Sequence, residues 1–193
     1  TAPFYPIIYV RGYAMTEGEI ANANASPYMG FNLGSTRIRQ SWDKKVQRHI
    51  FESPLIRLMK DYDYRDCFSD GVEQDGQLSA RSIIIYRYYD NDAGDGGSGT
   101  RLSITEAAAG LKDLIYAVRE QVCGADAAMR EQFRVHLVAH SMGGLIVRTF
   151  LQNDSISSGA DRALVDKVFT YATPHNGIEV AGINVPGFLG LWD

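Results

Sequence analysis

One serine in this chain stands where a nucleophile would be built. The segment AHSMGG, Ala139 to Gly144, sets Ser141 among small residues, with the apolar run FRVHLVAH before it and LIVRTFLQN after it. A strand that turns sharply into a helix lifts the residue at the turn above the carboxyl edge of its sheet, where a hydroxyl can reach a substrate carbonyl. Backbones pass close at such a turn, so the positions two before and two after the serine must be small. Ala139 and Gly143 meet that demand, and Gly144 extends it. The amide of Met142 would open the helix. There an unpaired N–H and the helix dipole stabilise the oxyanion that forms when a serine attacks an ester. A polar residue in a buried turn would show the same pattern, but the apolar strand and helix on either side favour the nucleophile.

A parallel sheet has to carry such a turn. PIIYV (Pro6 to Val10) predicts a strand that runs into RGYA, and SIIIYRYY (Ser82 to Tyr89), FRVHLVAH (Phe133 to His140) and DKVFTYA (Asp166 to Ala172) predict three more. Between the second and third of these, SITE at Ser103 to Glu106 is a capping box. Behind it Ala107, Leu111, Leu114, Ile115, Val118 and Val122 make an apolar stripe, and Gly124 is a stop. Strand alternating with helix predicts an α/β fold, a parallel sheet flanked by helices.

The stretch from Gly12 to Ser35, rich in Asn, Ala, Gly and Ser, predicts a long surface loop. Trp42, Val46 and Ile50 recur at four-residue spacing and predict a helix. SPLIRLMK predicts another, with Ser53 as N-cap and Pro54 at its first position. Asp61 to Gln77 is acidic, Tyr-rich and reads as irregular. Residues 12–77 together read as a long loop and helical insertion within a single domain of residues 1–193.

Composition narrows the function classes. The chain has 193 residues, 45% hydrophobic and 22% charged, which suits one domain with a sizeable core. A formal net charge of -4 and a pI near 5.6 argue against a nucleic-acid partner or an anionic membrane surface. No apolar run has the length of a bilayer span. The chain begins at Thr1 without a basic-then-apolar leader, which reads as an N-terminus set by processing or truncation. Cys67 and Cys123 fit neither a disulfide framework nor a zinc site; one bridge and two free thiols are both open. DNDAGDGGSG from Asp90 has a calcium-loop look. However, its third acidic ligand position is Gly94 and its twelfth is Arg101, so it reads as a flexible loop and no metal or cofactor is expected. Tyr86, Tyr88 and Tyr89, with Arg87 between, read as core on one face and pocket rim on the other.

With these segments in place, the chain resembles the α/β-hydrolase lipases and esterases, in particular the small bacterial lipases and the GPI inositol-deacylase-like group. VAHSMGG matches the nucleophile elbow with its Ala variant. PIIYVRGYA sits where that family has a strand followed by His-Gly and the first oxyanion-hole residue, and VFTYATPHNG looks like its strand ending in Thr-Pro-His-x-Gly. The resemblance implies an α/β-hydrolase fold, an acyl ester or lipid substrate, and an oxyanion hole made by the backbone amides of Met142 and Tyr13. Arg11 stands where the family has His; that His shapes a loop and is not a triad member, so the departure touches loop geometry and not mechanism. Arg11 could pair with a carboxylate to hold the loop.

The family places its acid and then its histidine after the serine. Here the acids after Ser141 are Asp154, Asp161, Asp166, Glu179 and Asp193, and the only histidine is His175. Asp154 is expected at the far end of the helix after Ser141. Asp161 and Asp166 are expected at the amino end of the next strand, the wrong edge of a parallel sheet, and Glu179 and Asp193 in a closing loop. His175 reads as the family's rim histidine, His136 and His140 as packing residues beside the elbow, and His49 as solvent-facing. The apolar tail VAGINVPGFLGLWD suggests a partner to pack on. The expectation is therefore that a further C-terminal segment or a second chain completes the fold and supplies acid and base. A serine carboxylester hydrolase is the leading reading. An amidase, thioesterase or acyltransferase on the same fold, or a non-catalytic binding module, are the alternatives.

Overall fold

A computed structural model of the chain describes residues 3–12, 35–40, 46–51, 54–67, 78–86, 88, 102–176, 178–180 and 183–185. In chain order its strands are β1 (Ile7–Val10), β2 (Ser35–Gln40), β3 (Val46–Phe51), β4 (Arg65–Cys67), β5 (Ser82–Tyr86), β6 (Val135–His140), β7 (Val165–Tyr171), β8 (Ile178–Val180) and β9 (Ile183–Val185). Its helices are α1 (Pro54–Tyr62), α2 (Ile104–Cys123), α3 (Ala127–Gln132), α4 (Met142–Gln152) and α5 (Gly159–Arg162).

The main sheet has five parallel strands in the order β4-β5-β1-β6-β7. The central strands are the apolar runs: every residue of β1 and β5 is buried, as strands covered on both faces must be. In β6 burial alternates, with Val135, Leu137 and Ala139 inside and His136, Val138 and His140 half-buried. β1 lies beside both β5 and β6, and the chain winds to opposite sides of it, so the carboxyl ends of β1 and β6 flank the place where the winding reverses. In open α/β sheets ligands bind in that crevice.

α2 and α4 pack on each other, and α4 packs on β1 and β6. In α2 the capping box of Ser103 and Glu106 is formed at both ends, and all six residues of the apolar stripe are buried. Gly110 leaves room on this helix for Tyr86. A methyl group there would fall 2.4 Å from the phenol oxygen, which instead donates to the Ala107 carbonyl at 2.9 Å. Asp126 caps α3, and a second capping box, Ser158 with Asp161, opens α5. The Tyr116 hydroxyl of α2 reaches Asp161 at 2.5 Å, so α5 is tied back to the core.

Several expectations change. The Trp42, Val46, Ile50 spacing does not make a helix: Val46–Phe51 is a strand, paired antiparallel with β2. A spacing of four fits both periods, since residues four apart share one face of a strand as well as one face of a helix; Trp42 itself lies outside the described residues. The stretch read as irregular after Asp61 contains β4, which pairs with β5 at the sheet edge. Its three residues, Arg65, Asp66 and Cys67, carry no apolar run that could signal a strand. SIIIYRYY stops as a strand at Tyr86. Glu179 lies on β8, in a short antiparallel pair with β9, and not in a loop. Pro54 opens α1 as expected, whereas Ser53, residues 13–34 of the stretch expected to be a loop, the Asp90 to Gly99 segment, Arg87, Tyr89 and Asp193 lie outside the described residues. Cys123 is free and buried, so it forms no bridge with Cys67, and burial pushes its thiol pKa up. Among the described residues, no helix is long and apolar enough to cross a membrane.

Candidate active site

Ser141 occupies the joint between β6 and α4, at φ 51 and ψ -125. That region is one L-residues rarely adopt; it costs on the order of 1–3 kcal/mol and persists only where neighbours enforce it. As N-cap of α4 its side chain makes no capping hydrogen bond, and among the described residues its hydroxyl has no hydrogen-bond partner. The residue is half-buried. Its own amide donates to the Tyr171 carbonyl at 3.0 Å, and its carbonyl accepts from Gly144 at 3.0 Å. The Met142 amide, first in α4, is one of the helix's orphan donors and lies beside the hydroxyl-bearing residue.

The small residues around it have separate causes. Ala139, fully buried, faces Val10 across the β1–β6 pairing. Gly143 meets the end of β1 and not β6: a Cβ there would lie 2.3 Å from the Val10 carbonyl oxygen and 2.6 Å from that of Arg11. At Gly144 a Cβ would strike the Thr173 side chain, 2.1 Å from its hydroxyl oxygen. Gly12, on the loop after β1, faces the elbow directly; a Cβ there would fall 2.6 Å from the Cβ of Ser141 and 3.0 Å from His140 Nδ1. Backbone from β1 thus lies against both sides of the elbow. Tyr88 fixes this loop by donating its hydroxyl to the Arg11 carbonyl at 2.7 Å. Tyr88 and Tyr86 are both buried, with rings 5.3 Å apart. Tyr13 lies outside the described residues.

The histidines are engaged elsewhere. His136 sits 3.4 Å from Asp166 and edge-on to Tyr5. Burial holds its pKa below the ordinary value, with Asp166 opposing that shift. His140 stacks on Tyr171, ring centroids 4.9 Å apart, and burial first, then the nearby Arg11 charge, lowers its pKa. His175 is exposed, and its Nε2 meets the Thr170 hydroxyl at 3.2 Å. It lines a groove of about 410 Å³ between α4 and β7 with Val147, Leu151 and Val168, a groove Ser141 does not line. His49 is on β3. Of the acids, Asp154 pairs with Arg162 beyond the end of α4, Asp161 caps α5, and Asp166 stands at the start of β7, all as the chain order anticipates.

Three contributors carry no catalytic group of their own, though Gly12 and Thr173 fall within the RGYA and ATPHNG segments on which the family resemblance rests. Gly12 is the glycine of RGYA, two residues past the end of β1. Tyr171 closes β7, and burial pushes its phenol pKa up to about 12. Thr173, in the turn after β7, is packed over the first turn of α4.

The profile of the family described as "PGAP1-like alpha/beta domain" matches residues 64–182. Among solved structures, the crystal structure of a gene product of Listeria innocua is similar at 13% identity and a TM-score of 0.35, covering 92% of this chain and 54% of that one. The chain therefore spans about half the length of that protein. No curated protein matches the chain.

Proposed function

This chain belongs to the PGAP1-like alpha/beta domain family, with an α/β-hydrolase-type fold, and on that premise we propose that it is a serine carboxylester hydrolase, a lipase or esterase with Ser141 as nucleophile. The observation that carries the reading is the conformation of Ser141. It is held at positive φ at the head of α4, its hydroxyl is uncommitted to capping, and the Met142 amide lies next to it. A serine that served only to start the helix would take extended backbone and accept from the helix amides, as Ser103 and Ser158 do here.

In this reading Ser141 Oγ attacks the ester carbonyl and gives its proton to a base. The carbonyl oxygen, now an oxyanion, accepts hydrogen bonds from the amides of Met142 and Tyr13. Each such donor contributes about 3 kcal/mol of transition-state stabilisation. Collapse expels the alcohol, which takes the proton from the base, and water then releases the acid from the acyl-enzyme by the same steps. In the same reading the base and its orienting acid are supplied from outside the described residues, by a further segment or a second chain. Supporting this, His136, His140 and His175 each meet other partners, and among the described residues no carboxylate or imidazole reaches the Ser141 hydroxyl.

A fluorophosphonate probe on the full-length protein tests the proposal. Labelling at Ser141, with ester turnover that Ser141→Ala abolishes while the fold is kept, is the expected result. Turnover that persists in Ser141→Ala removes the nucleophile, and absent labelling in the full-length protein favours the binding module. A comparison of p-nitrophenyl esters with an amide and a thioester then separates the esterase from its relatives in chemistry.

A further inference from the structure

We propose that the turn after β7, Ala172 to His175, is a brace that holds Ser141 in its reactive conformation, and that Arg148 and Thr173 are positioning residues acting through it; this rests on the reading of Ser141 as nucleophile. β6 and β7 end in step, His140 opposite Tyr171. The next residue on each strand, Ser141 and Ala172, has positive φ, 51 and 52. One hydrogen bond joins these adjacent strained turns, from the Ser141 amide to the Tyr171 carbonyl at 3.0 Å.

A conformation of this kind is retained only where the surroundings force it. For Ala172 the force comes from α4, the helix that Ser141 begins. Thr173 is packed onto the bare Cα of Gly144. Arg148 Nη1 donates to the His175 carbonyl at 2.9 Å. The turn closes on itself through His175 N–H to the Thr173 carbonyl at 2.9 Å and through the Thr170–His175 contact. Positions 141, 144 and 148 lie along one face of the helix. The result is a closed circuit: the nucleophile's helix grips the turn at two points, and the carbonyl just before that turn holds the nucleophile's amide.

Two details assign the roles. Arg148 is exposed and also bonds Gln152 in the same helix, so its loss removes little packing. The Thr173 hydroxyl is buried with no hydrogen-bond partner, so the residue acts through its shape. Valine has that shape and alanine does not.

The experiment uses the full-length protein, with fluorophosphonate labelling, steady-state hydrolysis of p-nitrophenyl butyrate, thermal unfolding, and amide hydrogen exchange at Ser141. Displacements near 1 Å at a reacting group lower rates by up to about a hundredfold. Arg148→Met is expected to lower kcat and the labelling rate about tenfold or more with KM unchanged, and to speed Ser141 amide exchange. Arg148→Lys, which keeps a donor, should recover part of the loss, and Thr173→Val should recover what Thr173→Ala loses. Unchanged exchange and labelling in Arg148→Met overturn the brace, as does a loss that only tracks the folded fraction. If exchange speeds up while the wild-type serine proves inert to probe and ester, the brace stands and the nucleophile assignment fails.

Discussion

Gly12 and Ser141, 129 positions apart in the chain, meet so closely that a methyl group on Gly12 would fall 2.6 Å from the Ser141 Cβ. The contact explains a glycine that no turn geometry demands. β1 ends beside β6, and only a residue without a side chain lets its exit loop pass against the elbow while the Arg11 carbonyl is held by Tyr88.

Gly12→Ala should therefore act first on the serine. The added methyl would push Ser141 and crowd the His140 carbonyl, 3.0 Å away, at a cost of about 1–2 kcal/mol in stability. Labelling should fall far more than the folded fraction does. A variant that labels at the wild-type rate would show that the loop and the serine do not touch.

Gly143→Ala tests a different crossing. Its methyl would meet backbone, the Val10 carbonyl oxygen at 2.3 Å, which cannot rotate away as a side chain can. We expect a loss of about 3 kcal/mol or more, read as a large fall in the thermal midpoint, with activity lost alongside. An unchanged midpoint would mean that α4 does not cross the end of β1 as described.

These two glycines also show what can be read from sequence and what cannot. The elbow is legible because its local constraints coincide: an apolar strand, small flanking residues and an apolar helix within one short segment. β1, β5, β6 and α2 are legible for the same reason, each carrying its own apolar run or stripe. The partner of Gly143 is not, because smallness at that position fits a crossing with either strand, and only the β1–β6 pairing decides. β4 is hidden because its three residues join the sheet through backbone bonds to β5 without an apolar run. The β3 strand is misread because a four-residue spacing satisfies both periods. Arg148 looks like an ordinary helix-surface charge, and Thr173 is marked only as part of the Thr-Pro-His-x-Gly match, until β7 is placed beside β6.

The last prediction concerns pH. His140 is flanked by the loop at Gly12, the Arg11 guanidinium and the Tyr171 ring, and burial first, then Arg11, holds its pKa below the ordinary 6.5. His136 is shifted the same way by burial, with Lys167 adding to the shift and Asp166 opposing it. Tyr171, pushed up to about 12, stays neutral and contributes nothing over the working range. A histidine whose folded pKa is lowered gains its proton more readily in the unfolded chain. Its stabilising contribution is complete above the unfolded value and is lost as pH falls through 6.5 toward the folded value. Urea unfolding from pH 8 to pH 5 should show a plateau and then a decline, with a slope of at most about 1.4 kcal/mol per pH unit for each proton taken up. Replacing His140 with Gln should flatten part of that decline, and the labelling rate of Ser141 should lose part of its acid sensitivity with it, because a charged His140 would press on the Gly12 loop. A decline of unchanged slope in His140→Gln would assign the acid sensitivity to His136 or the carboxylates and take His140 out of the account.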